Sequence, residues 1–147
     1  MEVKRGDVVA MVGFFPGYAE MLRNRGAKVK ILEIREMGES MFGVELYPWW
    51  ASDQIISGSD LVIITAATIV NKTIESLLSI PSKARAKILV GPSSPLEPTI
   101  LKKYGVTLAG GVKVSDPDLA LRIIEEGGGT KELLKSGAVK KLVVLPE

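Results

Sequence analysis

The chain has 147 residues, 46% of them apolar and 24% charged, with a net charge of +2, which suits one packed domain, 1–147, and excludes a disordered polymer. No run approaches the roughly 18 consecutive apolar residues of a membrane span, Met1–Asp7 lacks the apolar stretch of a signal peptide, and no Lys/Arg block forms a phosphate-tracking stripe. Cysteine and histidine are both absent, which removes disulfides, the two ligand types that build most zinc, copper and iron sites, and Cys–His or Ser–His–Asp catalysis, so a cytoplasmic protein binding neither membrane nor nucleic acid, with no metal site of its own, is expected.

Asp7–Val12 is a short apolar run ending in Gly13 and reads as a strand buried on both faces. Pro16-Gly17 leads into a helix over Tyr18–Arg25, stopped by Gly26, and Val29, Ile31 and Ile34 belong to a second strand, completing a β-α-β unit. From Arg35 to Tyr47 the pattern dissolves, and Pro48-Trp49-Trp50-Ala51 opens a short helix through Ile56. Ser59–Thr65 is the third strand, followed by Val70, Ile74, Leu77 and Leu78 at helical spacing up to Pro81. Ala86–Val90 is the fourth strand. The next helix starts either at a capping box, Ser94–Glu97, or with Pro98 in its first turn. The second is preferred, because the first leaves Pro98 where an N–H is needed. A fifth strand lies within Val106–Val114, Asp116 caps a helix carrying Leu119, Ile123 and Ile124, and Gly127–Gly129 separates it from a helix near Thr130. Lys140–Leu145 is the last strand.

This alternation predicts an α/β Rossmann-like fold: a doubly wound, mainly parallel sheet of five or six strands, order 2-1-3-4-5-6, with helices on both faces. Its interior should hold Val9, Met11, Val62, Ile64, Leu89 and Val90. In such a sheet the strand-to-helix loops gather at the carboxyl edge and ligands enter where the strand order reverses.

The loops there supply the candidate ligand-binding residues. Gly13-Phe14-Phe15-Pro16-Gly17 offers close backbone approach and a helix N-terminus, although it lacks the G-x-G-x-x-G spacing and reads equally as a tight turn with Phe14 or Phe15 in the core. Glu33, twenty residues after Gly13, stands where an acidic residue holds a ribose, or else joins a solvated charge cluster with Arg35 and Glu36. Thr65, Thr68, Asn71 and Thr73 place four hydrogen-bonding side chains within nine residues, more than one helix cap requires. Gly91, Ser93 and Ser94 form a rigid polar loop or ordinary turn chemistry. Gly128, inside a glycine triad beside Thr130, implies close approach to a ligand or to another element, because each extra glycine raises the entropic cost of folding.

Taken in order, Val12–Pro16, Glu33-Ile34-Arg35, Asp60–Thr65, Thr68–Thr73, Gly91–Leu96 and Glu126–Thr130 resemble the C-terminal, Rossmann-like domain of the "putative heavy-metal chelation" family, over about Val8 to Leu142. In that family this domain usually follows one resembling the N-terminal part of enolase, and the cleft between them is the suspected site. The chain begins almost at its first strand, so the resemblance implies either a separate partner chain or a homo-oligomer. Any metal would have to be a hard cation on oxygens such as those of Glu33, Glu36 and Asp116.

Three functions compete. The first is binding of a small polar or anionic ligand, linked to metal chelation or chelator metabolism. The second is an enzyme, a transferase or lyase with a nucleotide-like cofactor, for which no catalytic base stands out and no cofactor is specified. The third is a scaffold subunit, for which Tyr47, Trp49 and Trp50 would be interface aromatics rather than core anchors.

Overall fold

The computed structural model describes residues 2–33 and 44–146. Its elements are β1 (Val8–Val12), α1 (Pro16–Asn24), β2 (Lys28–Glu33), β3 (Glu45–Pro48), a 3-10 turn (Trp49–Ala51), α2 (Ser52–Ser57), β4 (Leu61–Thr65), α3 (Ala67–Val70), α4 (Ile74–Ser79), β5 (Ala86–Val90), α5 (Pro98–Lys103), β6 (Leu108–Val114), α6 (Pro117–Glu125), α7 (Thr130–Ser136) and β7 (Val139–Val144). Ile34, Arg35 and Glu36 lie outside the described residues.

One seven-stranded sheet runs β3-β2-β1-β4-β5-β6-β7. Every pair is parallel except β6–β7. The expected strand order is present, but the expected count of five or six is corrected to seven by β3, which adds to the edge beside β2. A four-residue strand ending in a proline is too short to show alternation, so only its pairing with Lys30–Glu33 identifies it.

Alternation along the inner strands sorts the core into two layers. Val12, Val62, Ile64 and Leu89 face Ile55 and Ile56 of α2, Leu77 of α4 and Leu101 of α5. Val9, Met11, Ile31, Leu61 and Ile63 face Ala19 and Leu22 of α1. Five of the six expected interior residues are buried, while Val90 is half-buried. The helix expected up to Pro81 is two: Lys72 adopts a positive φ of 61° between α3 and α4, and Val70 is exposed instead of continuing an apolar face. Trp49 and Tyr47 pack on the first layer, whereas Trp50 is exposed.

A polar network ties the amino edge. Asp7 accepts hydrogen bonds from the Lys4 N–H at 2.7 Å and from both terminal nitrogens of the Arg85 guanidinium. Asp60 accepts from the Val8 N–H at 2.9 Å and pairs with Lys83 at 3.1 Å. The Arg85 guanidinium, then the Lys4 amide, hold the Asp7 carboxyl below its ordinary range against the opposing cost of burial. The Val8 amide, then Lys83, do the same for Asp60. β1, β4 and β5 are thereby pinned in register at the end away from the strand-to-helix loops.

Candidate functional site

Chain direction reverses at the carboxyl ends of β1 and β4. From β1 the chain passes through α1 toward β2 on one face, and from β4 through α3 and α4 toward β5 on the other. That leaves a crevice between two neighbouring strands. Gly13 makes it narrow. Its φ is 84°, its N–H donates to the Leu32 carbonyl at 2.9 Å, and a Cβ there would stand 2.9 Å from Thr65 Cγ2. Next along the row, the Ala66 N–H donates to the Val90 carbonyl and the Gly91 N–H to the Gly110 carbonyl. Gly91 lies against Ala66, where a Cβ would meet its methyl at 3.2 Å. Gly13, Thr65 and Gly91 therefore form one continuous backbone rim, and α1 opens beside it with Pro16 in its first turn and no side-chain cap.

A cavity of about 340 Å³ adjoins this rim, lined among others by Phe15, Tyr18, Gly91, Pro92, Gly110, Thr130 and Lys141. That volume is at the lower end for a small-molecule site. The loops after β1 and β5 and the start of α7 thus converge, as the topology requires. Tyr18, Gly110 and Lys141 were not singled out from the sequence. A glycine pair inside a strand, Gly110-Gly111, was the available signal, since glycine there marks close approach of something else. Part of the reason lies in the fold: a Cβ on Gly111 would meet Leu96 at 3.0 Å.

Other candidates are placed elsewhere or are occupied. Thr68 is only 2% exposed and its hydroxyl donates to the Thr65 carbonyl at 2.6 Å. The Asn71 side-chain oxygen accepts from the Thr73 hydroxyl at 2.6 Å and from its N–H at 3.3 Å, bracing the turn before α4. Ser94 is buried over Gly111 while Ser93 is exposed. Phe14 packs on the α1-side core, and Glu33 ends β2 opposite Pro48. Asp116 lies beyond the end of β6, six residues past Gly110, which pairs with Val90 at the rim. It caps α6 by accepting from the Leu119 N–H at 3.0 Å.

The glycine triad has a local explanation. Gly127, at φ 82°, donates to the Ile124 carbonyl and Gly128 to the Ile123 carbonyl at 2.7 Å, a Schellman termination of α6. A Cβ on Gly128 would sit 2.5 Å from Ile123 Cγ2. The close approach read from the sequence is thus made to another element. The Gly129 N–H donates to Glu132 Oε2 at 3.0 Å; hydrogen bonds from the Glu132 and Gly129 amides hold that carboxyl below its ordinary range.

No group of three His, Cys, Asp or Glu able to hold a metal ion occurs among the described residues. With no thiolate or imidazole in the chain, the donor set does not fit a soft metal ion held directly. No helix among the described residues is long and apolar enough to cross a membrane.

The chain is 32% identical over 88 residues to an uncharacterized protein of Methanocaldococcus jannaschii, covering 60% of this chain and 33% of that protein. A crystal structure of a protein of unknown function from Desulfitobacterium hafniense superposes with a TM-score of 0.80 at 32% identity, covering 97% of this chain and 53% of that one. Another from Pyrococcus horikoshii superposes with a TM-score of 0.81 at 26% identity, covering 96% and 56%. The chain thus spans a third of the first relative's length and about half of each of the other two. Both crystal structures are of DUF364 proteins, and the model of that family, described as "Putative heavy-metal chelation", matches residues 1–143, so the chain belongs to it.

Proposed function

We propose that the crevice between β1 and β4, with its adjoining cavity, binds a small polar or anionic molecule that serves metal chelation, as a chelate or as the chelator's precursor. One observation carries this reading: Gly13, Thr65 and Gly91 form a continuous rim beside a cavity that Thr130 also lines, and the uncapped start of α1 opens beside that rim. Backbone amides and hydroxyls suit an oxygen-rich ligand. With no thiolate or imidazole in the chain, the metal's ligands come from the bound molecule, and a partner chain or a second copy associates with this domain.

Native mass spectrometry of freshly purified protein tests this first, by the recovery of a co-purified small molecule. Titrating that molecule into Thr130→Val should show affinity reduced about fivefold, near 1 kcal/mol for one lost hydrogen bond, with unchanged stability. Unchanged affinity in Thr130→Val, or stoichiometric submicromolar binding of free zinc, nickel or copper by the chain alone, would defeat the reading.

A further inference from the structure

Parallel strands are ordinarily covered on both faces. Here the second layer stops at α1. Beyond it Ile88, Val90, Leu108 and Val143 form the floor of an open apolar groove walled by Tyr18 and Met21 of α1. Val143 is 65% exposed. The charged residues that border the groove and the cavity continuous with it are Arg25 and Lys141, both basic.

We infer that this groove receives α6 of a second copy of the chain. α6 is the amphipathic helix whose outer face is apolar: Leu121 is 58% and Ile124 55% exposed. Leu119 and Ile123, on the side away from Leu121, are half-buried, and Ala120 between them is buried. Asp118 stands one turn before Leu121 and Glu125 one turn after it, about 10 Å apart along the axis. Arg122, the helix's basic residue, shares their flank, four residues after Asp118 and three before Glu125, which leaves that flank one negative charge in excess. Among the described residues, none of Arg25, Lys141, Asp118 or Glu125 forms an ion pair.

Shape and charge select this occupant. Two grooves meeting face to face would leave a hollow and set Arg25 and Lys141 against their own kind. A convex apolar helix, edged on one flank by two carboxylates against one guanidinium, fills the hollow and carries the opposite net charge. Because groove and α6 are separate patches on one molecule, a twofold dimer makes the exchange twice and closes. The inference deepens the self-association part of the preceding reading and is independent of the ligand, since it is tested by mass rather than by binding.

Sedimentation velocity over a range of concentrations should show a monomer–dimer equilibrium for the 147-residue chain. Leu121→Glu and Val143→Glu should each weaken association at least tenfold while leaving the melting temperature of the monomer unchanged, because both side chains are exposed. The decisive arm is charge reversal. Arg25→Glu with Lys141→Glu in one sample, and Asp118→Lys with Glu125→Lys in another, should each stay monomeric, and mixing the two should restore dimers. A chain monomeric at every concentration, a dimer indifferent to Leu121→Glu, or failure of the mixed pair to associate would overturn the inference.

Discussion

Over Ile64 and Leu89 the sheet is roofed by α4 and α5, and those side chains are excluded from water. On the other face, Ile88 and Val143 line an open groove. The side chains compared are apolar in both places, so residue type does not explain the difference. Connection does: β4 and β5 each feed a helix onto the first face, whereas β6 turns through α6 and α7 into an antiparallel β7, which leaves no crossover helix for the second.

The sharpest break in this comparison is Ile64→Ala, which removes buried methyl groups from the roofed face and should cost about 2–5 kcal/mol in denaturant unfolding. A cost below 1 kcal/mol would mean that this layer is not packed as described. Next comes Gly128→Ala. Its Cβ would collide with the Ile123 side chain and, at 2.8 Å, with the Ile123 carbonyl, so a loss of roughly 1–3 kcal/mol is expected. Gly129→Ala, whose Cβ would meet its nearest atom at 3.6 Å, should stay within about 1 kcal/mol. Equal losses would show that the triad is governed by something other than contact with α6.

The amino-edge network gives a pH signature shared by both faces. Asp7 and Asp60 have carboxyls held below their ordinary value in the folded state, so they bind protons more weakly there than when unfolded. Their stabilisation is complete above the unfolded carboxylate value near 4 and is lost as pH falls through the folded values. Melting temperature measured on an acid series should therefore fall less steeply for Asp7→Asn than for the parent chain, and identical slopes would remove the network from the account. The smallest effect belongs to the open face. Val143→Ala at high dilution should change stability by less than about 0.5 kcal/mol. The same substitution should matter more as concentration rises, if a second copy covers it.

Much of the fold was legible because its signals are local. Short, mostly apolar runs marked β1, β4 and β5. A proline in the first turn placed α5 and an Asx cap placed α6, and both stand where chain chemistry alone puts them. The candidate site was legible only as a row of loops. Gly13, Thr65 and Gly91 could be named because strand-to-helix turns must gather at one edge, but nothing in their spacing reveals that Thr68 is buried, that Asn71 braces its own turn, or that β6 runs on past the rim and carries Asp116 away from it.

What the amino-acid order determined by itself was therefore each element whose reason lies within a few residues, together with the absence of thiolate and imidazole, the ligands that build most soft-metal sites. Tertiary structure alone decided the rest. β3 exists because β2 offers it an edge, Gly13 has no room for a Cβ because Thr65 presses on it, and Val143 is bare because β7 returns antiparallel with no crossover helix to roof it. Each depends on a neighbour brought up by the fold, and hydrophobic periodicity does not show which neighbour will arrive.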